Sequence, residues 1–272
     1  MHTTNESVLS MAEAQYRKAE GISKSDLDYI APPKTPAHFK ALKDGLMPKV
    51  ESPAMRMGSI IHRAVLEPDT MDGAYAVRPE KLDLRTAEGK EWKTAQGAKE
   101  ILTTSEWSVV VGVRDSVWAH PYAKRILKDA QTEMCLFAED DGIVRKARLD
   151  ALIGGSAIPD LKTAGSADPM EFERSMGRFR YHVQAAYYID LCRLIGIPKD
   201  QFLFIVVEKE PPYAVAVYSL DPDAIELGRL EYKRDLATVK RCLETGVWPS
   251  FTTDITVVSL PEYIRKQVEG LV

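Results

Sequence analysis

The centre of the chain alternates apolar and polar residues in a pattern that predicts β-strands. Residues 132–155 (TEMCLFAEDDGIVRKARLDALIGG) alternate on both sides of Asp140-Asp141-Gly142, which is typical of a hairpin turn. A third strand is predicted at residues 157–162, and two more are predicted at 202–207 and 214–220.

Helical spacing of apolar residues predicts helices on both sides of these strands. Residues 58–67 (GSIIHRAVLE) form one such segment, which Pro68 ends, and residues 88–128 continue the helical pattern. Later helices are predicted at 179–194 and 222–246. The order of helices, three strands, helices, two strands and a helix predicts an α/β fold with a central mixed β-sheet flanked by helices.

The composition is that of one ordinary globular domain. The chain has 272 residues, of which 45% are hydrophobic and 28% charged, so it can bury a sizeable core. Its three cysteines are far apart and form no CxxC pair, which indicates neither a zinc site nor a disulfide framework. No apolar run approaches the length of a membrane span, and the N-terminus lacks the features of a secretory signal. We therefore expect a cytoplasmic protein without a membrane contact.

The formal net charge of -4 limits how the protein can bind nucleic acid. Nonspecific binding depends on phosphate neutralisation by Lys and Arg, so an acidic protein cannot coat DNA with a uniformly basic surface. Basic residues must instead be concentrated locally. An acidic balance also suits a protein whose carboxylates hold divalent cations.

Two carboxylates and a lysine are predicted to converge on adjacent strands. Side chains on a strand alternate between faces, so Asp160 and Lys162 point the same way, and Asp150 can face them from the neighbouring strand. Two neighbouring acids repel unless a cation lies between them, and Mg²⁺ or Mn²⁺ prefers such oxygen ligands. The lysine can orient or deprotonate an attacking water, or stabilise charge that develops on a phosphate.

Three motifs along the chain occur in the order found in one family of nucleases. They are G-x-x-x-H at 58–62, D-x-K at 160–162 after an acid at Asp150, and Q-x-x-x-Y at 184–188. Taken singly, each has an ordinary interpretation as a core histidine, a solvated strand end or a helix surface. Together they resemble the RecE-type phage exonucleases (exodeoxyribonuclease VIII-like), which belong to the RecB-like group of the PD-(D/E)xK superfamily. The resemblance extends over about residues 22–248 and implies a restriction-endonuclease-like core.

The resemblance also implies roles for individual residues. It assigns metal ligation to His62, Asp150, Asp160 and the backbone carbonyl of Leu161, and catalysis to Asp150, Asp160 and Lys162. Gln184 and Tyr188 would position the scissile strand or support the site. The implied cofactor is Mg²⁺, with Mn²⁺ as a substitute. Asp160 stands where many members of the superfamily carry glutamate, which bears on metal preference.

Several arginines are candidates for binding phosphate near these motifs. Arg148 shares the strand face of Asp150 and can meet either a phosphate or an acid. Arg178 and Arg180 flank the Q-x-x-x-Y helix and are expected to form part of a local basic patch, although a solvated face is the alternative. By contrast, Glu133 is expected to be a hairpin-edge residue and not a ligand.

The resemblance implies a Mg²⁺-dependent exodeoxyribonuclease that degrades linear double-stranded DNA from its ends. It further implies 5′ to 3′ polarity, a RecT-like annealing partner for the 3′ single strand that remains, and a homo-oligomeric ring. The host cell would be bacterial and the gene of phage or prophage origin. A structure-specific or CRISPR-associated endonuclease and a catalytically dead DNA-binding scaffold are the alternatives.

The chain is expected to form a single nuclease domain over residues 1–272. Within it, residues 1–57 are predicted to form an N-terminal helical region, and 58–128 the metal-site helix with a helical insertion. Residues 131–250 are predicted to form the catalytic core.

Overall fold

The hairpin at the centre of the chain forms as predicted. In the computed structural model, which describes residues 7–47 and 52–269, β4 (Gln131–Asp140) pairs antiparallel with β5 (Ile143–Leu152). The two residues between the strands, Asp141 and Gly142, have φ of 52° and 79°, and a two-residue turn of this kind matches the twist of a hairpin. An unpredicted strand, β1 (Ser7–Ser10), pairs antiparallel with the other edge of β4.

The remaining predicted strands build a second sheet. β6 (Ala157–Ala164) runs parallel to β7 (Gln201–Glu208), and β8 (Val215–Ser219) completes the sheet antiparallel to β7. These strands therefore form two three-stranded sheets rather than one continuous sheet, and the described chain has a further two-stranded sheet in the insertion. β5 and β6 lie side by side at the boundary, where the backbone N–H of Leu161 donates to the Asp150 side chain at 2.8 Å. A hydrogen bond to the Asp150 side chain, rather than to a backbone carbonyl, therefore links β5 and β6 at this point.

Helices cover both faces of the strands. The described helices are α1 (Glu13–Lys18), α2 (Lys24–Leu27), α3 (Pro36–Lys43), α4 (Pro53–Leu66), α5 (Met71–Ala74), α6 (Ala87–Ala95), α7 (Thr104–Ala119), α8 (Pro121–Leu127), α9 (Pro169–Phe179), α10 (Tyr181–Leu194), α11 (Pro222–Thr245) and α12 (Glu262–Glu269). None of those in the described ranges is both long and apolar enough to cross a membrane.

Two apolar cores result from the alternation of side chains on the strands. Ile158 of β6 packs with α10 and α11 in one core, whereas Leu161 packs with α4, α7 and α8 in the other. Every second side chain of a strand points to the same face. Asp160 and Lys162 therefore lie on the same face of β6 as Ile158, and their side chains face α10. The helix that carries the Q-x-x-x-Y motif therefore lies directly over the D-x-K strand.

The segment predicted to be wholly helical between residues 88 and 128 is interrupted by a strand. β3 (Glu100–Leu102) separates α6 from α7 and pairs parallel with β2 (Tyr75–Val77). The helix predicted at 179–194 begins two residues later, as α10 at Tyr181, because Arg180 has a left-handed φ of 55° that separates it from α9. The α/β class is confirmed, whereas the division at residues 1–57, 58–128 and 131–250 stays a prediction. Residues 1–6, 48–51 and 270–272 lie outside the described chain.

Candidate active site

Two acidic side chains lie opposite each other on the central hairpin. In the antiparallel register Thr132 pairs with Ala151, so the next residue of each strand, Glu133 and Asp150, occupies the facing position. Facing residues have Cβ atoms about 5 Å apart, and like charges at such positions destabilise a sheet. Glu133 also has a positive φ of 57°, a conformation that costs energy for a residue other than glycine. The chain thus maintains an unfavourable pair of acids at this point.

A histidine from helix α4 joins this pair. Ser52 caps the helix by accepting the N–H of Met55, and Ile61 is buried in the core. His62, the next residue, is 28% exposed, and its Nδ1 lies 3.5 Å from Asp150 Oδ2. One ligand atom from each of His62, Glu133 and Asp150 lies within 4.8 Å of the others. All three side chains line one pocket of about 550 Å³.

Beside this pocket, the D-x-K pair is held by the glutamine of α10. Lys162 Nζ lies 2.7 Å from Asp160 Oδ2 and donates to Gln184 Oε1 at 3.0 Å. The amide nitrogen of Gln184 donates to Asp160 Oδ1 at 2.6 Å. Gln184 therefore bridges the acid and the lysine, which fixes both side chains relative to each other.

Burial changes the protonation of the carboxylates. Burial raises the pKa of Glu133 to about 8, and the nearby Asp150 adds to the shift despite the attraction of Arg148. Burial likewise raises the pKa of Asp160 to about 6, although Lys162 opposes this change. Both side chains hold protons more tightly than an ordinary carboxyl group, as expected where carboxylates are desolvated without a cation.

The lysine is charged at neutral pH. Burial alone would lower the pKa of Lys162, but the carboxylates of Asp160 and Asp150 outweigh it and hold the pKa above its ordinary value. The ammonium also lies 4.5 Å from the centre of the Tyr181 ring, a distance at which a cation and an aromatic face attract. Tyr181 follows the left-handed residue Arg180, and this break lets the new helix begin against the lysine.

The chemistry of the donors fits a divalent cation. His62 offers a nitrogen, and Glu133 and Asp150 offer carboxylate oxygens, which together suit Mg²⁺ or Mn²⁺. The buried Asp160 carboxylate is already partnered, because its Oδ2 lies 2.7 Å from the Lys162 ammonium and its Oδ1 accepts the Gln184 amide.

The remaining predicted residues are divided between the pocket and other contacts. Tyr188 lines the pocket with His62 and Asp150. Its pKa is raised well above the ordinary value by burial, so its hydroxyl stays protonated. The side chain of Leu161 is buried in the second core. Its backbone contacts the site through the bond from its N–H to Asp150.

The predicted phosphate-binding arginines lie in different surroundings. Arg148 pairs with an acid, the second of its two expected partners, since its Nη2 lies 2.8 Å from the Glu133 carboxylate. The Arg180 guanidinium contacts three carboxylates, those of Asp28, Glu231 and Asp235. This arrangement differs from the expected basic patch, since a guanidinium paired with three acids has no free face for phosphate. Arg178, at the end of α9, is exposed and lies over the Phe179 ring.

Glu133 was expected to be a hairpin-edge residue and not a ligand, and the structure places it among the side chains that could hold a metal ion. A signal for this was present in the sequence. A two-residue turn at Asp141-Gly142 pairs Asp140 with Ile143, and counting back along the hairpin from that pair sets Glu133 opposite Asp150.

Comparisons with known proteins identify the family and the fold of the chain. The model of the family described as "PDDEXK-like domain of unknown function (DUF3799)" matches residues 23–260. The crystal structure of a "Putative exonuclease" from Eubacterium rectale has 16% identity and a TM-score of 0.64, over 96% of this chain and 99% of that chain. An alkaline exonuclease (LHK-Exo) from Laribacter hongkongensis has 13% identity and a TM-score of 0.28, over 69% of this chain and 89% of that chain. A search of the curated proteins found no match. Of these two structures, the first is similar enough to show a shared fold.

Proposed function

This chain belongs to the PDDEXK-like family DUF3799, and from that premise we propose that it is a metal-dependent deoxyribonuclease. One observation carries the proposal. The group of His62, Glu133 and Asp150 lies beside the buried pair of Asp160 and Lys162. The acids, the histidine and the charged lysine are the components that metal-assisted phosphodiester hydrolysis requires.

His62, Glu133 and Asp150 are the proposed ligands of the cation. Asp160 and the carbonyl of Leu161 are kept in the ligand set on the strength of the resemblance to RecE-type exonucleases, and the N–H of Leu161 donates to Asp150 of the ligand group. When bound, a divalent cation supplies an activated water and polarises the phosphate. Mg²⁺ is the proposed ion, with Mn²⁺ as a substitute that tolerates the histidine nitrogen.

Lys162 is proposed to act as a cation rather than as a base. Its raised pKa keeps the proton on Nζ, so the ammonium can stabilise negative charge that develops on the phosphate. Gln184 acts through Lys162 and Asp160, since it hydrogen-bonds to both. Tyr188 is proposed to contact the DNA strand, because its side chain lines the pocket that holds the ligand group.

The proposed substrate is linear double-stranded DNA, degraded from its ends in the 5′ to 3′ direction. The resemblance to RecE-type exonucleases supports this choice, as it supports a RecT-like annealing partner, a homo-oligomeric ring and the cytoplasm of a bacterial host of phage or prophage as the place of action. Arg148 and Arg180 are paired with carboxylates. Arg148 is therefore proposed to hold Glu133 in the site, and Arg180 to hold the break before α10 in place.

The test compares a linear duplex with a closed circle of the same sequence, each with Mg²⁺ and with chelator. The proposal expects Mg²⁺-dependent loss of the linear DNA alone. Cutting of the circle would replace the exonuclease with a structure-specific or CRISPR-associated type of endonuclease. If neither DNA were cleaved, the alternative of a catalytically dead DNA-binding scaffold would be favoured.

A further inference from the structure

A second pocket, of about 300 Å³, lies in the insertion between α4 and β4. Its lining combines three cationic side chains with two aliphatic ones and a threonine: Arg78, Leu84, Lys93, Lys99, Ile101 and Thr103. It contains neither a carboxylate nor an aromatic ring. A pocket of this composition attracts an anion.

The three cations have no acidic group in direct contact within the described residues, and Asp83 is the nearby carboxylate that interacts with the charge of Arg78. Within the described residues, none of Arg78, Lys93 and Lys99 forms an ion pair. In addition, Arg78 Nε is buried and has no hydrogen-bond partner there. Buried guanidinium donors normally find acceptors. The deficit at Arg78 therefore indicates an oxyanion as the missing partner.

The strands around the pocket hold it firmly. Arg78 directly follows β2, and its backbone N–H donates to Leu102 of β3 at 2.8 Å. Arg56 of α4, the helix that carries His62, forms ion pairs with Glu100 at the start of β3 and with Glu106 in the first turn of α7. The basic pocket is consequently fixed to the same helix that supplies the histidine of the active site.

Strand β2 connects the two pockets. Tyr75, at its start, lines the active-site pocket, and Arg78 lies three residues further along the chain. The basic pocket therefore lies next to the active-site pocket along this segment of the chain.

We propose that the pocket of Arg78, Lys93 and Lys99 binds a backbone phosphate of the DNA outside the active-site pocket. This inference rests on the proposed nuclease function and assigns to the insertion a part in holding the substrate. A contact with a backbone phosphate carries no sequence information, so the binding is expected to be independent of DNA sequence.

The experiment measures binding of a labelled duplex of about 20 base pairs by fluorescence anisotropy in chelator, at several salt concentrations. The variant K93Q/K99Q removes two exposed lysines from the pocket. The matched control K124Q/K128Q removes two exposed lysines of α8 and its C-cap that line no such pocket. We expect K93Q/K99Q to weaken DNA binding about 3- to 10-fold. The slope of the logarithm of the binding constant against the logarithm of the salt concentration should fall by about the contribution of one phosphate contact, and the control should change neither value.

A second measurement follows Mg²⁺-dependent hydrolysis of bis(p-nitrophenyl) phosphate, a diester too small to reach from one pocket to the other. We expect wild type and K93Q/K99Q to hydrolyse it equally. Equal DNA binding by K93Q/K99Q and the control would overturn the proposal. If wild type hydrolyses neither diester nor DNA, the nuclease function fails, while the anisotropy still decides whether the pocket binds DNA.

Discussion

Glu133 and Asp150 face each other on adjacent strands of one hairpin, with His62 completing a group of potential ligands. Two facing carboxylates repel, and the raised pKa of Glu133 shows how the protein without metal tolerates them, because one of the two acids keeps its proton. Binding of a cation must therefore displace that proton. Metal binding and proton release are coupled at this pair.

Glu133→Gln should weaken metal binding while the fold is preserved. The amide has the shape of the protonated acid but lacks the negative charge that a cation needs. We expect about tenfold or more Mg²⁺ to be required for half-maximal nuclease activity. Glu139→Gln, at an exposed position of the same strand, should leave the Mg²⁺ titration unchanged. If the two variants gave the same Mg²⁺ titration, Glu133 would not be a metal ligand.

The stabilisation by Mg²⁺ should increase with pH. The folded-state pKa of Glu133, about 8, lies above its ordinary value. Its contribution to stability without metal is therefore complete below the ordinary carboxyl pKa and is lost as the pH rises through about 8. Mg²⁺ binds the ionised form, so the increase in Tm on adding Mg²⁺ should grow from about pH 6 to about pH 9. Glu133→Gln should reduce this growth, and a pH-independent increase in wild type would argue against the coupling.

Gln184→Ala should lower both turnover and stability. The substitution removes the bridge between Asp160 and Lys162 and leaves a buried carboxylate without its hydrogen bond. The expected loss is about 1–3 kcal/mol in the free energy of unfolding and about 10- to 100-fold in kcat. Gln201→Ala, at the exposed start of β7, is the matched control. Turnover equal to that of this control would show that the bridge has no part in the reaction.

Lys162→Ala should abolish turnover but retain the metal. We expect kcat to fall about 10²- to 10³-fold, because one preorganised cation is lost from the site. The ligand group of His62, Glu133 and Asp150 does not include the lysine, so the increase in Tm on adding Mg²⁺ should persist. Loss of that increase would instead make Lys162 a support of the metal site.

The strands of the core were predictable because their signals are local. Alternation and the Asp141-Gly142 turn determine β4 and β5 within a span of about twenty residues. β1 and β3 were missed because they have four and three residues, too few for a recognisable period. β1 is held by pairing with β4, for example Ser7 with Phe137, and such long-range partners leave no local trace in the sequence.

The candidate site was predictable only in part, for a similar reason. The period of two placed Asp160 and Lys162 on one strand face, and the structure brings their charged groups to 2.7 Å. The position of Glu133 relative to Asp150 could be found only by counting the strand register back from the turn. The surroundings of Arg180 depend on carboxylates more than 50 residues away and on a left-handed φ. Neither feature can be deduced from the arginine's neighbours in sequence.

The central claim is that Asp150, which contacts both the histidine and the D-x-K strand, belongs to a working metal site. The most direct test measures Mg²⁺-dependent degradation of linear duplex DNA by wild type and by Asp150→Asn. The asparagine oxygen can still accept the N–H of Leu161, so the variant should fold with nearly the wild-type Tm. We predict that it degrades DNA more than about a hundredfold more slowly. Degradation at the wild-type rate would contradict the assignment of this site.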